Sequence, residues 1–393
     1  MKILFVVGAL KGIGGIESSL LNLLNNLKDT EYDISVCVLG DYISTSTQIP
    51  NNVEIIKGNK IIKYCLVEYK DLASELSRTE LLGAAFIKTL KRVIGFRPIL
   101  LTCLNFMKNS KKYDIAISYS NDMYRDVYSG GCEDYVEKCV KANKKIAWIH
   151  NDAREHGFTQ NICKKKYKAF KYVVNVSQTC KEIFDEIIPE YTHKSKVITN
   201  TLSISDISKN HSNVSPFDSN KFNLVTVARI ENQQKRIDRI LECCKLLKRR
   251  GLNNWQWTVV GDGPDLLSLK QQAVEMGIDD VLKFVGRKNN PIPFMQHADI
   301  FIQTSDYEAY SMVLIEALCV STPCIVTNYD SASNIIKDNY NGWIVEKKVN
   351  ELVEKIIFLS GNPEILKSVG ENCKLSSKEL NEKALSSFYN LLS

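Results

Sequence analysis

Two successive runs of strand and helix alternation, separated by a polar stretch, constrain this chain more than any other feature. The first run opens with Lys2-Ile3-Leu4-Phe5-Val6-Val7, a short β-rich apolar segment that gives way to a loop holding Gly8, Gly12, Gly14 and Gly15. Leu20, Leu21, Leu24 and Leu27 then recur at helical spacing, and Ile34 to Leu39 reads as the next strand. Strand, glycine loop, helix, strand is a βαβ unit. Further strands are expected at Ile115 to Ser118, Lys145 to Ile149 and Tyr172 to Val176. Between Ser205 and Asn220 the chain turns polar, as linkers do. A second series follows, with strands expected at Phe222 to Ala228, Trp257 to Val260, Leu282 to Val285, Ile300 to Gln303 and Cys324 to Thr327. The fold class is therefore α/β, in two similar halves, and 393 residues suit two domains.

Composition narrows the function classes. Hydrophobic residues make up 44% and charged residues 24%, which excludes disorder, collagen-like repeats and a multi-span membrane protein. A net charge of +6 is too small an excess to imply nucleic-acid binding. The 12 cysteines are scattered from Cys37 to Cys373 with no C-x-x-C, which argues against a disulfide framework or a zinc site and fits a reducing compartment. Ile3 to Leu10 is too short to span a membrane and lacks a signal peptide's charged leader, so the chain is expected to be cytoplasmic.

One segment departs from this even charge. Arg78 to Lys112 holds eight basic residues (Arg78, Lys88, Lys91, Arg92, Arg97, Lys108, Lys111, Lys112) against the single acid Glu80. Leu81, Leu82, Phe86, Ile87, Leu90, Val93, Ile94 and Phe96 interleave with them, the pattern of a basic amphipathic helix on an anionic membrane. The same pattern also reads as a core helix with a solvated basic face.

Several constellations can carry chemistry. The glycine loop sits where exposed N–H groups and a positive helix end hold anions, although no G-x-G-x-x-G fits and an ordinary strand-to-helix turn reads equally well. Arg229 directly follows a strand, with Lys235 and Arg236 soon after, so cations stand where open α/β sheets bind ligands; a solvated mixed-charge loop is the alternative. Gly261-Asp262-Gly263-Pro264 is mostly a turn signal.

The richest segment runs from Ser305 to Glu316. Glu308 in a loop and Glu316 in the following helix can line one ligand site, with the free N–H groups near Tyr310, Ser311 and Met312 between them. A carboxylate takes two sugar hydroxyls, while a helix N-terminus takes a phosphate. Glu308 also reads as an acid favouring the helix dipole; Glu316 lies among Val313, Leu314, Ile315, Ala317 and Leu318, where a solvated position is not obvious. His150 ends a strand, and a lone histidine there is ordinarily structural.

Taken together, the segments resemble the retaining glycosyltransferases of glycosyltransferase family 4. Ala228-Arg229 with Lys235, Gly261-Asp262-Gly263-Pro264, Phe284-Val285-Gly286, Ala298-Asp299-Ile300-Phe301 and Glu308-x7-Glu316-Ala317 occur in that family's order and spacing. The resemblance implies the GT-B fold: two facing Rossmann-like domains with parallel sheets and a cleft between them. The divisions expected are 1–204 for an acceptor-binding domain, 205–375 for a nucleotide-sugar-binding domain, and 376–393 for a C-terminal helix packing back on the first. It implies that Glu308 contacts the donor sugar near the reacting centre, that Glu316 binds the ribose, and that Arg229 and Lys235 neutralise the diphosphate. Gly14 and Gly15 would face the phosphates or acceptor, His150 the sugar, and Ser177 and Asn200 match further family positions. Departures stand at Ala309-Tyr310-Ser311, Ser321, Asp330 to Asn334 and Asn200-Thr201, where the family has glycines; they bear on sugar specificity more than on fold.

The expected function is metal-independent, cofactor-free transfer of a hexosyl unit with retention. The donor is expected to be a UDP-sugar ahead of a GDP-sugar. The acceptor would be a glycan, in particular a lipid-linked one, in polysaccharide or capsule synthesis. No nucleic acid is expected as a partner. Alternatives are a sugar-nucleotide epimerase or hydrolase of the same fold, or a non-catalytic sugar-nucleotide-binding protein.

Overall fold

The computed structural model describes residues 1–11, 14–45, 47–73, 76–107, 111–124 and 129–393, the side chains of Lys70 and Asp71 excepted. Gly12 of the glycine loop and Lys108 of the basic segment lie outside the described residues. The chain forms two compact units, Met1–Thr201 with Ser387–Ser393, and Leu202–Ser386.

The first unit is built on seven strands: β1 (Lys2–Val7), β2 (Asp33–Val38), β3 (Val53–Lys57), β4 (Lys112–Ser118), β5 (Lys141–Ile149), β6 (Tyr172–Asn175) and β7 (Ser195–Val197). Their order is β3-β2-β1-β4-β5-β6-β7, and every neighbouring pair is parallel. The second unit has β8 (Phe222–Val227), β9 (Trp255–Val260), β10 (Leu282–Phe284), β11 (Ile300–Gln303), β12 (Cys324–Thr327) and β13 (Gly342–Val345), in the order β10-β9-β8-β11-β12-β13, again all parallel. These are two Rossmann-like α/β domains, as the alternating pattern implied. Central strands such as β1 and β11 are apolar and buried on both faces because helices cover both sides of a parallel sheet.

A single 30-residue helix, Pro363–Leu392, ends the chain. Its last turns belong to the first unit, where the Phe388 ring lies 6.4 Å from Phe5 and 6.2 Å from Trp148. Lys144 closes this helix by donating from Nζ to the Leu391 and Leu392 carbonyls at 3.0 and 3.1 Å, a favourable use of a cation at a helix C-terminus.

The basic segment is two helices, Arg78–Ile94 and Phe96–Asn105, broken at Gly95 where φ is 80°, with β4 starting at Lys112. Part of it matches the core-helix alternative: Phe96, Ile99, Leu100, Cys103 and Leu104 are buried in the core, and Leu81, Ile87 and Leu90 of the first helix pack against it. In Arg78–Ile94 only Ala84 is buried, while Leu82, Phe86 and Val93 are 73%, 67% and 77% exposed. Two lysines face inward as well: Lys88 and Lys91 donate to the Val67 and Cys65 carbonyls at 2.6 and 2.8 Å, closing the end of the helix Lys60–Leu66. Unpaired carbonyls at a helix end attract ammonium groups, so Lys88 and Lys91 share the inward face with Leu81, Ala84, Ile87 and Leu90, and a second apolar row of Leu82, Phe86 and Val93 is left exposed. Among the described residues no helix is long and apolar enough to cross a membrane.

Candidate active site

In open parallel sheets, ligands bind outside the carboxyl ends of the strands at the point where the strand order reverses. In the second unit that point lies between β8 and β11. β8 runs directly into Ala228-Arg229 and β11 into the loop carrying Glu308. The neighbouring loop after β9 approaches so closely that only glycine fits: a Cβ on Gly261 would stand 1.8 Å from the Ala228 carbonyl oxygen, and one on Gly263 2.2 Å from that of Ile230.

Glu308 is held from all sides. Its Oε1 accepts from Lys235 Nζ at 2.6 Å, Ser305 Oγ at 2.7 Å and Gln303 Nε2 at 3.1 Å, and its Oε2 accepts from Gln234 Nε2 at 3.3 Å. The short helix Asn232–Lys235 that presents Lys235 is tied to the same loop, since Asp306 N donates to the Gln234 carbonyl and Thr304 Oγ1 to that of Lys235, both at 2.9 Å. Below it, Arg236 and Arg239 grip Asp306 at 2.9 Å each. Burial pushes the Asp306 carboxyl up, but these two guanidinium partners prevail and hold it below the usual range.

Glu316 is the opposite case. It lies on the helix Met312–Cys319 and is half-buried, and among the described residues its carboxylate makes no hydrogen bond or ion pair; burial raises its pKa to about 7. Ser311 caps that helix without a side-chain bond to its first N–H groups. Tyr310, Ser311 and Met312 are all buried at this helix start. Arg229 is not drawn in with Lys235: its side chain is 69% exposed, and its nearest acid is Glu231 at 3.7 Å.

In the first unit, Gly14 caps the helix Gly15–Leu27 with φ of 127°, and a Cβ there would meet nothing within 4 Å, so its glycine serves backbone conformation rather than close packing. His150 follows β5, its ring centroid 4.7 Å from Tyr119 and 6.2 Å from Trp148. Neither ring nitrogen has a partner of hydrogen-bond geometry, and burial lowers its pKa to about 3, offset only slightly by the Tyr119 backbone. The imidazole is therefore neutral near pH 7. Ser177 caps the helix Gln178–Ile187 by accepting from Cys180 N at 3.1 Å. Asn200 Oδ1 accepts from Ser19 Oγ at 2.8 Å, and Ser19 Oγ also meets the Tyr119 hydroxyl at 2.7 Å.

Sequence reasoning missed the side chains that hold Glu308. Gln303 is the centre of that group: it also donates to Ser311 Oγ at 2.9 Å and accepts from the Tyr329 hydroxyl at 2.9 Å. A glutamine closing the apolar strand Ile300–Gln303 was the available signal. Ser331 donates to the Glu308 carbonyl at 2.6 Å. Ser311 and Ser331, two positions where the resemblance expects glycine or a glycine-rich loop, thus engage the site directly.

Residues 207–376 match the family model of glycosyl transferases group 1. An uncharacterized glycosyltransferase of Methanocaldococcus jannaschii is 30% identical over 149 residues, which is 37% of this chain and 40% of that protein. The alpha-monoglucosyldiacylglycerol synthase of Acholeplasma laidlawii is 29% identical over 160 residues, 40% of this chain and 39% of that one. The chain thus spans about two fifths of the length of these relatives. Among solved structures, Anabaena HepE in complex with UDP superposes with a TM-score of 0.68 at 16% identity, covering 99% of this chain and 100% of that one. This last likeness is one of fold.

Proposed function

We propose that the chain is a glycosyltransferase that moves a hexosyl unit, with retention, from a UDP-sugar to a glycan acceptor without a metal. One observation carries the reading. At a single strand end, Glu308 is fixed by four side-chain donors, while Glu316, eight residues on, is partly buried with none. A half-buried carboxylate with a raised pKa that no described residue engages is open to a ligand's hydroxyls, and such shifted groups cluster at functional sites. The family match over residues 207–376 and the UDP bound by HepE support the donor class.

In this reading Glu316 accepts the ribose hydroxyls, and Lys235, with Arg229, meets the diphosphate beside the open N–H groups that start the helix Met312–Cys319. The bond between the sugar's anomeric carbon and the diphosphate oxygen breaks. A bond from that carbon to the acceptor oxygen forms on the same face, and the acceptor's proton passes to the leaving phosphate. Glu308, its carboxylate already committed to four donors, positions Lys235 and the sugar and does not attack. His150, a neutral and unpartnered imidazole, hydrogen-bonds the sugar, and Gly14 and Gly15 face the phosphates or acceptor.

A lipid-linked acceptor, in cell-surface polysaccharide or capsule synthesis, follows from the exposed Leu82, Phe86 and Val93 stripe, which suits the inner face of a membrane; the Acholeplasma relative's name, which describes a product on diacylglycerol, points the same way. Arg229→Ala combined with Lys235→Ala should lower UDP-sugar turnover by about 100-fold or more, since oxyanion stabilisers carry that much. EDTA should leave the wild-type rate unchanged. Near-normal turnover in the folded double variant removes the diphosphate assignment, and loss of rate in EDTA removes the metal-independent one.

A further inference from the structure

At the opposite end of the first sheet from His150, the amino-terminal ends of β5, β6 and β7 carry a groove of ≈ 660 Å³. Lys145, Lys168, Lys171 and Lys194 line it with Tyr172 and His193, and no acidic residue does. The ammonium groups of Lys171, Lys196 and Lys144 stand 5.5, 5.5 and 6.0 Å from the Tyr172 ring centroid. Among the described residues none of these six lysines forms an ion pair within 4.0 Å. Their bonds go to main-chain carbonyls, as from Lys145 to Glu137 at 2.6 Å and from Lys194 to Lys168 at 3.1 Å. Burial lowers the ammonium pKa of Lys144, Lys145 and Lys194, and the neighbouring Lys171 charge adds to the effect at Lys144.

Like charges gathered around one ring repel, and the carbonyls that Lys144, Lys145 and Lys194 reach, together with the Tyr172 ring, hold them together without supplying a counter-charge. A multiply charged anion reverses that balance, releasing counterions as it binds. We propose that this groove binds a soluble polyanionic chain bearing phosphate or comparable acidic groups. A lipid surface is the poorer match: no large hydrophobic residue is exposed among residues 141–145, 168–172 or 191–196, whereas the helix Arg78–Ile94 exposes several. This site does not depend on the transferase reading, because binding alone tests it.

Long-chain inorganic polyphosphate is the probe, with dextran as the neutral control. Lys168 and Lys171 are both exposed, so Lys168→Glu with Lys171→Glu should fold normally. The wild-type protein should bind polyphosphate but not dextran at about 50 mM salt, and lose affinity steeply as salt rises. The double variant should bind at least about tenfold more weakly, and Lys168→Gln with Lys171→Gln should fall between, with wild-type circular dichroism and Tm. Equal affinity in the folded variants, or no wild-type binding at low salt, overturns the proposal. So does a variant that keeps polyphosphate binding but no longer binds phosphatidylglycerol vesicles, since the groove would then serve a membrane.

Discussion

Glu316 and His150 are both ionisable groups shifted by burial, and the shifts act in opposite directions with pH. The Glu316 carboxyl, raised from 4.5 to about 7, holds its proton in the folded state over a range in which the unfolded chain has released it. Stability from this group is therefore present below pH 4.5 and falls as pH rises through 7. His150, lowered from 6.5 to about 3, is neutral when folded, so its contribution is present above 6.5 and falls as pH drops toward 3. Glu316→Gln should flatten the decline in Tm between pH 5 and 7.5; a variant with the wild-type slope contradicts the burial of that carboxyl. Ser321 adopts φ of 67°, a conformation that favours glycine. That strain costs about 1 to 2 kcal/mol, and glycine's extra freedom when unfolded returns part of it, so Ser321→Gly should stabilise the chain by about 0.5 to 1 kcal/mol in urea melts. At this scale Arg229, Lys235 and Glu308 drew notice because charged residues stand out after apolar strands, and Glu316 because a carboxylate stands out among apolar helix neighbours; the structure joins Lys235 to Glu308 and leaves Arg229 exposed. Gln303, Ser305 and Ser331 did not, because a neutral side chain's partner depends on which loops meet, and that is a tertiary fact.

Strands were legible where an apolar run survived, which favours the centre of a sheet. The central strands β1, β4, β8 and β11 are apolar runs and read directly, whereas β3, β7 and β13, which did not, are all edge strands. β7 has three residues and β3 is half-exposed, so their periodicity fades into loop, whereas the equally short edge strand β10 kept enough of its apolar run to be read. The helix Arg78–Ile94 taught the reverse lesson. Its amphipathic pattern was visible, but its apolar residues divide between a core-facing row, Leu81, Ala84, Ile87 and Leu90, and an exposed one, while Lys88 and Lys91 reach inward to the Val67 and Cys65 carbonyls, a tertiary arrangement that no local pattern encodes. With Leu82, Phe86 and Val93 exposed, anionic vesicles should sediment the protein at low salt. Leu82→Asp with Phe86→Asp should cut the bound fraction about tenfold, since each buried apolar side chain is worth roughly 1.5 kcal/mol or more. Sedimentation unaffected by this pair takes the helix out of any membrane contact.

At the scale of the whole molecule, the two units repeat one plan: a parallel sheet whose order reverses beside its first strand, with polar groups gathered beyond the carboxyl ends there. That plan followed from two strand-helix series and the polar stretch between them, and it survives the departures at Ala309 to Ser311 because they alter side chains at a loop, not the strands that set it. On the proposed function, the carboxyl end of the second sheet binds a nucleoside diphosphate through Glu316 and Lys235. Isothermal titration of UDP into the wild-type chain and into folded Glu316→Ala tests it most directly. Saturable binding to the wild type is expected, stronger above pH 7 than below because the ribose hydroxyls favour the ionised carboxylate, with at least about tenfold weaker binding in the variant. Absent binding in the wild type, or equal affinity in the two proteins, would contradict it.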